Sequence, residues 1–224
     1  MSLTYVFLLC TVVPLLFGLW AQFKVKSTFK HYSQVPTASG MTGAQAAEAV
    51  LRNSGVTGVG IRPVAGQLSD HYDPRSKTLN LSEDVGIAAT VAALGVAAHE
   101  AGHAVQDARG YKPMQLRSTL VPAASFGSQV WIFPAFLGLI LGSTGLVNVG
   151  LVLFLAVVLF QLVTLPVEFD ASHRAIVALE GGGLLGAEEL SGARKVLQAA
   201  ALTYIAALAA SIGQLIYFFI ASRR

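Results

Sequence analysis

Charged side chains make up only 12% of the 224 residues, about half the share usual in a water-soluble domain. That scarcity, with 54% hydrophobic residues and a mean hydropathy of +0.63, excludes a soluble globule. Cysteine is nearly missing too. The one thiol, Cys10, has no partner in the chain, which excludes an internal disulfide and a cysteine-ligated zinc site. Glycines at 55, 58 and 60 are not followed by a third at the dinucleotide spacing, and there is no Gly-Lys-Ser/Thr, so a phosphate-cradling loop is excluded and Val56 to Val64 reads as a strand with a turn. A net charge of +3, with the basic residues gathered at the ends of apolar runs, points to bilayer orientation and away from nucleic acid.

What the chain has in quantity is uncharged length. Three runs, Met1 to Phe23, Ser118 to Val167 and Val196 to Ser222, carry no charge. A helix needs about 20 apolar residues to cross the hydrocarbon. The first and third runs therefore hold one span each and the middle run holds two, divided at Gly142-Ser-Thr-Gly145. The first run lacks a basic n-region and a small-x-small site before Lys24, so it reads as a retained anchor and not a cleaved signal. Lys24, Lys26, Lys30, Arg109, Lys112, Arg117, Arg174, Arg194 and Lys195 all fall on one side of a four-span chain, which the positive-inside rule makes the cytoplasm of a cell with this protein in its plasma membrane. Arg223 and Arg224 fall on the other.

The soluble part lies between Lys24 and Arg117. Thr42 is placed to cap a helix through Leu51 that ends before Gly55. Asp70 to Ser82 reads as two short strands around the turn Asp73-Pro74-Arg75-Ser76, with His71 and Tyr72 as sheet or surface residues. The stretch Thr78 to Leu81 is expected to offer an edge strand able to hold an extended peptide by main-chain hydrogen bonds. Ser82, Glu83 and Asp84 mark the start of a helix expected to run from about Val85 to Ala108. Its uncharged portion is too short to cross a bilayer.

That helix carries His99-Glu100-Ala101-Gly102-His103. Positions i and i+4 share a helix face, so His99 and His103 can reach one metal ion, with Glu100 beside them to handle a proton. Two of the five histidines are committed there. A catalytic zinc usually has three protein ligands and a water. Glu168, the first charged residue after the middle run, is the leading third ligand, and Asp170 and His173 are rivals. On a helix Asp170 points about 200° away from Glu168, so only one of the two can face the metal. Two crossings separate His103 from Glu168, so both return to the same side of the membrane.

These features make a mainly α, multi-pass membrane protein with a small sheet and a zinc-binding catalytic region at the membrane surface. The segments are an anchor at 1–23, a metal-binding region at 24–117, a two-span hairpin at 118–167, a third-ligand helix and loop at 168–195, and a final span and tail at 196–224. The chemistry is peptide hydrolysis by zinc-activated water with Glu100 as general base, on membrane or membrane-proximal polypeptides. Tyr204, His173, Arg174 and Tyr72 are candidate oxyanion donors. An intramembrane-cleaving zinc protease and a non-catalytic scaffold with a vestigial metal site are the alternatives; the acid between two ligands argues against the scaffold.

Met41-Thr-Gly43, Asp70-His-Tyr-Asp-Pro74, Gly95-Val-Ala-Ala-His-Glu-Ala-Gly-His-Ala-Val-Gln106, Pro166-Val-Glu-Phe-Asp-Ala-Ser172 and Ala199-Ala-Ala-Leu-Thr-Tyr204 together resemble the membrane-bound neutral zinc metallopeptidases of the YugP-like family, relatives of the gluzincins. The resemblance implies a zincin-like core with His99, His103 and Glu168 as ligands and Glu100 as base. Gluzincins often carry an aspartate four residues after the ligand glutamate. Here that position is Ser172, which leaves open what orients the neighbouring zinc histidine.

Overall fold

The computed structural model describes residues 2–223. Met1, at the head of the first apolar run, and Arg224, one of the two basic residues on the opposite side, lie outside them. The chain forms two compact units, one of residues 1–22, 115–166 and 202–224, the other of residues 23–114 and 167–201.

The first unit is built from long apolar helices. α1 (Leu3–Phe7) passes through a π-helical turn at Leu8–Val12 into α2 (Val13–Tyr32). α6 (Lys112–Val130) and α7 (Ile132–Ile140) run on either side of Trp131, α8 spans Thr144–Gly181, and α9 spans Ala187–Ala221. Four of the resulting stretches, Leu3–Tyr32, Lys112–Ile140, Thr144–Gly181 and Ala187–Ala221, are long and apolar enough to cross a membrane. The expected turn between the two central spans is present at Gly142, where φ is +63°. Trp131, Ala135, Val147, Leu151, Phe154, Val158 and Phe218 form the buried cluster of this unit, with the Trp131 ring 4.3 Å from Phe154 and 5.1 Å from Phe218. In lipid no hydrophobic effect drives helices together, and small residues at contacts let backbones pack closely. At Gly213 a Cβ would lie 2.0 Å from the carbonyl oxygen of Cys10, so α9 approaches the π turn as only glycine permits.

The second unit carries the sheet and the motif helix. Thr42 caps α3 (Gly43–Asn53) through a reciprocal pair: its hydroxyl accepts from the Gln45 amide, and the Gln45 side chain accepts from the Thr42 amide. The sheet has the order β1-β3-β2, with β1 (Gly60–Val64) parallel to β3 (Thr78–Ser82) and β2 (His71–Asp73) antiparallel to it. Its hairpin turn is tied by Asp73, whose carboxylate accepts from the Arg75 amide at 2.9 Å and the Ser76 hydroxyl at 2.7 Å. Those bonds favour the ionised form and hold Asp73 below its ordinary carboxyl value.

Two expectations need correction. Thr78 to Leu81 is the central strand, paired on both sides, so its main-chain groups already serve the sheet. The free edges belong to β1 and β2. The helix expected from Val85 is also broken: a single turn, α4 (Glu83–Gly86), precedes α5 (Val91–Ala108). Between them the backbone pairs instead with the linker after α2, through Thr37 N to Ala89 O at 3.0 Å, Val91 N to Val35 O at 3.0 Å and a bridge of Pro36 with Thr90. Thr90 then caps α5, its hydroxyl accepting from the Ala93 amide at 3.3 Å.

α5 is buried along nearly its whole length. Leu94, Ala97, Ala98 and Ala101 pack with Leu79 and Leu81 of β3, Val167, Ala175 and Leu179 of α8, and Ala193 of α9 in one core. Alanine and glycine on α5 keep its neighbours close. α8 continues without interruption through residue 168 to Gly181, so Glu168 stands on the same helix as the end of the middle apolar run.

Candidate metal centre

His99 and His103 leave the same face of α5 one turn apart, and Glu168 projects from α8 between them. His99 Nε2 lies 3.2 Å from Glu168 Oε2, and His103 Nε2 lies 3.5 Å from the same oxygen. Donor atoms of all three fall within 4.8 Å of one another. All are largely shielded from solvent, with side-chain exposures of 13% for His99, 8% for His103 and 4% for Glu168.

These separations fit a tetrahedral zinc. Ligand bonds of about 2.0–2.2 Å put donors about 3.3 Å apart, close to the 3.2 and 3.5 Å between each histidine and the carboxylate. A direct hydrogen bond is shorter, about 2.7–3.0 Å, so the 3.5 Å contact is wider than a hydrogen bond needs. Two imidazoles and one carboxylate also match a catalytic donor set with one position left open.

Each histidine is held from behind. Ser172 Oγ lies 3.1 Å from His99 Nδ1, so a hydroxyl at position 172 steadies the His99 ring. His103 Nδ1 lies 3.0 Å from Gln106 Oε1. The Gln106 amide also donates to the Val167 carbonyl at 2.8 Å and to Asp170 Oδ2 at 2.8 Å. Burial works to lower the His103 pKa, but hydrogen bonding to Glu168 and the charges of Glu100 and Glu168 outweigh it, leaving the imidazole raised. Protons therefore compete for the nitrogen a metal would use.

The remaining sequence candidates separate clearly. Glu100 is on the same helix and only 8% exposed, with its charge felt at His103. Asp170 turns away from the cluster to pair with Arg174 and Gln106, and His173 is exposed. Neither joins the three-donor cluster. Of the oxyanion candidates, Arg174 is engaged by Asp170 and lies over the Tyr111 ring at 5.7 Å. Tyr72 donates to Asp107 Oδ2 at 2.7 Å; Tyr204 sits on α9 in the first unit. The spacing of the histidines says nothing about Gln106 or Asp107. The only trace is that Gln106 follows His103 by three residues on a helix, which puts it on the ligand face.

Residues 6–223 match a protein family described as "Putative neutral zinc metallopeptidase". The chain is 44% identical over 212 residues, covering 95% of its own length and 94% of the relative's, to a Bacillus subtilis (strain 168) protein described as "Putative membrane protease YugP". No solved structure matches it.

Proposed function

Because the chain belongs to the neutral zinc metallopeptidase family, we propose that it is a membrane-anchored zinc endopeptidase acting at the cytoplasmic surface of the plasma membrane on membrane or membrane-proximal polypeptides. The observation that carries the reading is the spacing of His99, His103 and Glu168, 3.2 and 3.5 Å between donors, beside the buried carboxylate of Glu100.

In this reading His99 and His103 hold the metal through Nε2 and Glu168 through its carboxylate. When bound, zinc supplies Lewis-acid polarisation of a carbonyl and lowers the pKa of water from 15.7 toward about 7. Glu100 takes the proton of the attacking water and returns it to the leaving amine. Ser172 and Gln106 keep the two imidazoles turned so that Nε2 faces inward. Burial of all these groups excludes bulk water, which strengthens each electrostatic interaction.

Surface action is favoured over intramembrane cleavage because α5 is not among the four helices suited to span a bilayer, and it shares its core with a sheet. The cytoplasmic orientation rests on the basic residues flanking the spans.

Glu100→Gln tests the reading. Purified in detergent, the variant is expected to retain zinc by elemental analysis and to lose cleavage of an unfolded or membrane protein by about 10²–10⁴-fold, the usual contribution of a positioned acid-base group. Cleavage equal to the wild type removes Glu100 from the chemistry.

A further inference from the structure

Gln106 is fully buried, and a buried amide is costly unless both its ends are satisfied. Its two ends are not interchangeable here. One end faces two atoms that only accept, the Val167 carbonyl and the Asp170 carboxylate, each at 2.8 Å. The NH₂ must lie there, because the reverse orientation would set an oxygen against two oxygens. The carbonyl oxygen is thereby turned to His103 Nδ1, 3.0 Å away. An oxygen with no hydrogen can only accept, so Nδ1 of His103 must carry the proton and Nε2 is the atom turned to Glu168 and the metal position.

We propose that Gln106 is a positioning residue for the metal, fixing the tautomer of His103 and tying the two ligand-bearing helices together at the site. The inference rests on the metal-site reading given above. One side chain grips His103 on α5, and on α8 it grips the peptide carbonyl immediately before Glu168. Asp170, the other acceptor, is itself clamped by Arg174 Nη2 at 3.3 Å and by Nε. The chain Arg174–Asp170–Gln106–His103 runs from the outer side of α8 to the metal-facing imidazole. Ser172 has no such effect on His99, because a hydroxyl accepts or donates with equal ease. The two histidines therefore differ: one is locked by an amide whose orientation is dictated, the other is steadied by a group that adapts.

The test uses the full chain in detergent. Gln106→Met keeps an unbranched side chain of similar length and removes every hydrogen bond; Gln106→Glu keeps an acceptor opposite Nδ1. Zinc affinity is measured by chelator competition, and the ring protons of His103 by nitrogen-edited NMR of the zinc-loaded protein. The wild type is expected to show a slowly exchanging proton on Nδ1 of His103. Gln106→Met is expected to bind zinc about 10–100-fold more weakly, the usual cost of losing a group that orients a ligand, and to lose that signal, while Gln106→Glu keeps it. A proton on Nε2 in the wild type overturns the inference, and so does unchanged affinity with a persisting Nδ1 signal in Gln106→Met. If Gln106→Met does not fold, Gln106→Glu decides: retention of the slowly exchanging Nδ1 proton supports the inference, and its loss with zinc still bound overturns it. A wild type that takes up no zinc at all overturns the metal reading itself, a result distinct from either of these.

Discussion

Glu168 is the residue on which the site depends. Its local sequence separates it from Asp170, two positions on, only by its being the first charge after the apolar run; both are acids at the end of that run. The choice is made by helix geometry and by partners, since Asp170 is drawn off by Arg174 and Gln106. Glu168→Ala is expected to leave two imidazoles and to lower bound zinc well below one per chain in elemental analysis; full occupancy would show that the carboxylate is no ligand. Tyr72 carries a second prediction. Burial, its hydrogen bond to Asp107 and the Asp107 charge raise its phenol above the ordinary 10.0. The folded protein then keeps a proton that the unfolded chain gives up, so the stabilisation is complete below pH 10 and lost as pH rises beyond it. Tyr72→Phe is expected to cost about 1–2 kcal/mol at pH 8, a hydrogen bond to a charged group, and that deficit is expected to shrink between pH 9 and pH 11 in thermal melts. A constant deficit would show that the phenol titrates normally. The closeness of His99 and His103, with Glu100 beside them, was legible as a five-residue pattern because helix periodicity is local. Gln106, Ser172 and Asp107 take their roles from a helix far along the chain or from a strand, and no local spacing records that.

At the scale of elements, the site exists because α5 and α8 lie almost in backbone contact. A Cβ built on Gly102 would stand 2.7 Å from the Ala171 carbonyl oxygen, between the two histidines on one side and next to Glu168 on the other. Gly→Ala in a helix normally gains about 1 kcal/mol of propensity, whereas forcing a group into a packed backbone contact costs about 1–3 kcal/mol. The second effect wins where the neighbour is a carbonyl that cannot rotate away. Gly102→Ala is therefore expected to lower the melting temperature and to weaken zinc binding, while Gly18→Ala on α2, with nothing within 4 Å of its added carbon, is expected to leave zinc binding unchanged and not to lower the melting temperature. Stabilisation at Gly102 would show that the helices can separate freely. The expected long helix from Val85 fails for a related reason. Apolar periodicity continues across Ile87–Thr90, but the backbone there is captured by Val35 and Thr37, a pairing between distant segments that periodicity does not carry. The same holds for β3: composition shows a strand, and only its two partners make it central.

For the whole chain, the decisive fact is parity. The metal-site helix and Glu168 belong to one compact unit, yet Gln115 to Pro166 lies between them in sequence and forms an apolar hairpin of α6–α7 and α8. A bilayer-crossing segment that returns its end to the starting unit must cross an even number of times. This much was readable from charge-free length alone, because lipid excludes charge along the whole of a span. The ends of the helices were not, since α8 and α9 run on past the apolar runs into the second unit and the loss of hydrophobicity does not end a helix. The proposed cytoplasmic placement of that unit rests on the positive flanks. With Cys10→Ala as background, a Ser143→Cys thiol in the turn between the central spans is expected to react with a membrane-impermeant maleimide on intact cells. An Arg75→Cys thiol in the exposed β2–β3 turn is expected to react only after permeabilisation. The reverse pair of results would put the metal centre outside the cell. Reaction of both thiols on intact cells would deny that the hairpin crosses, and with it the out-and-back path that brings Glu168 to the two histidines.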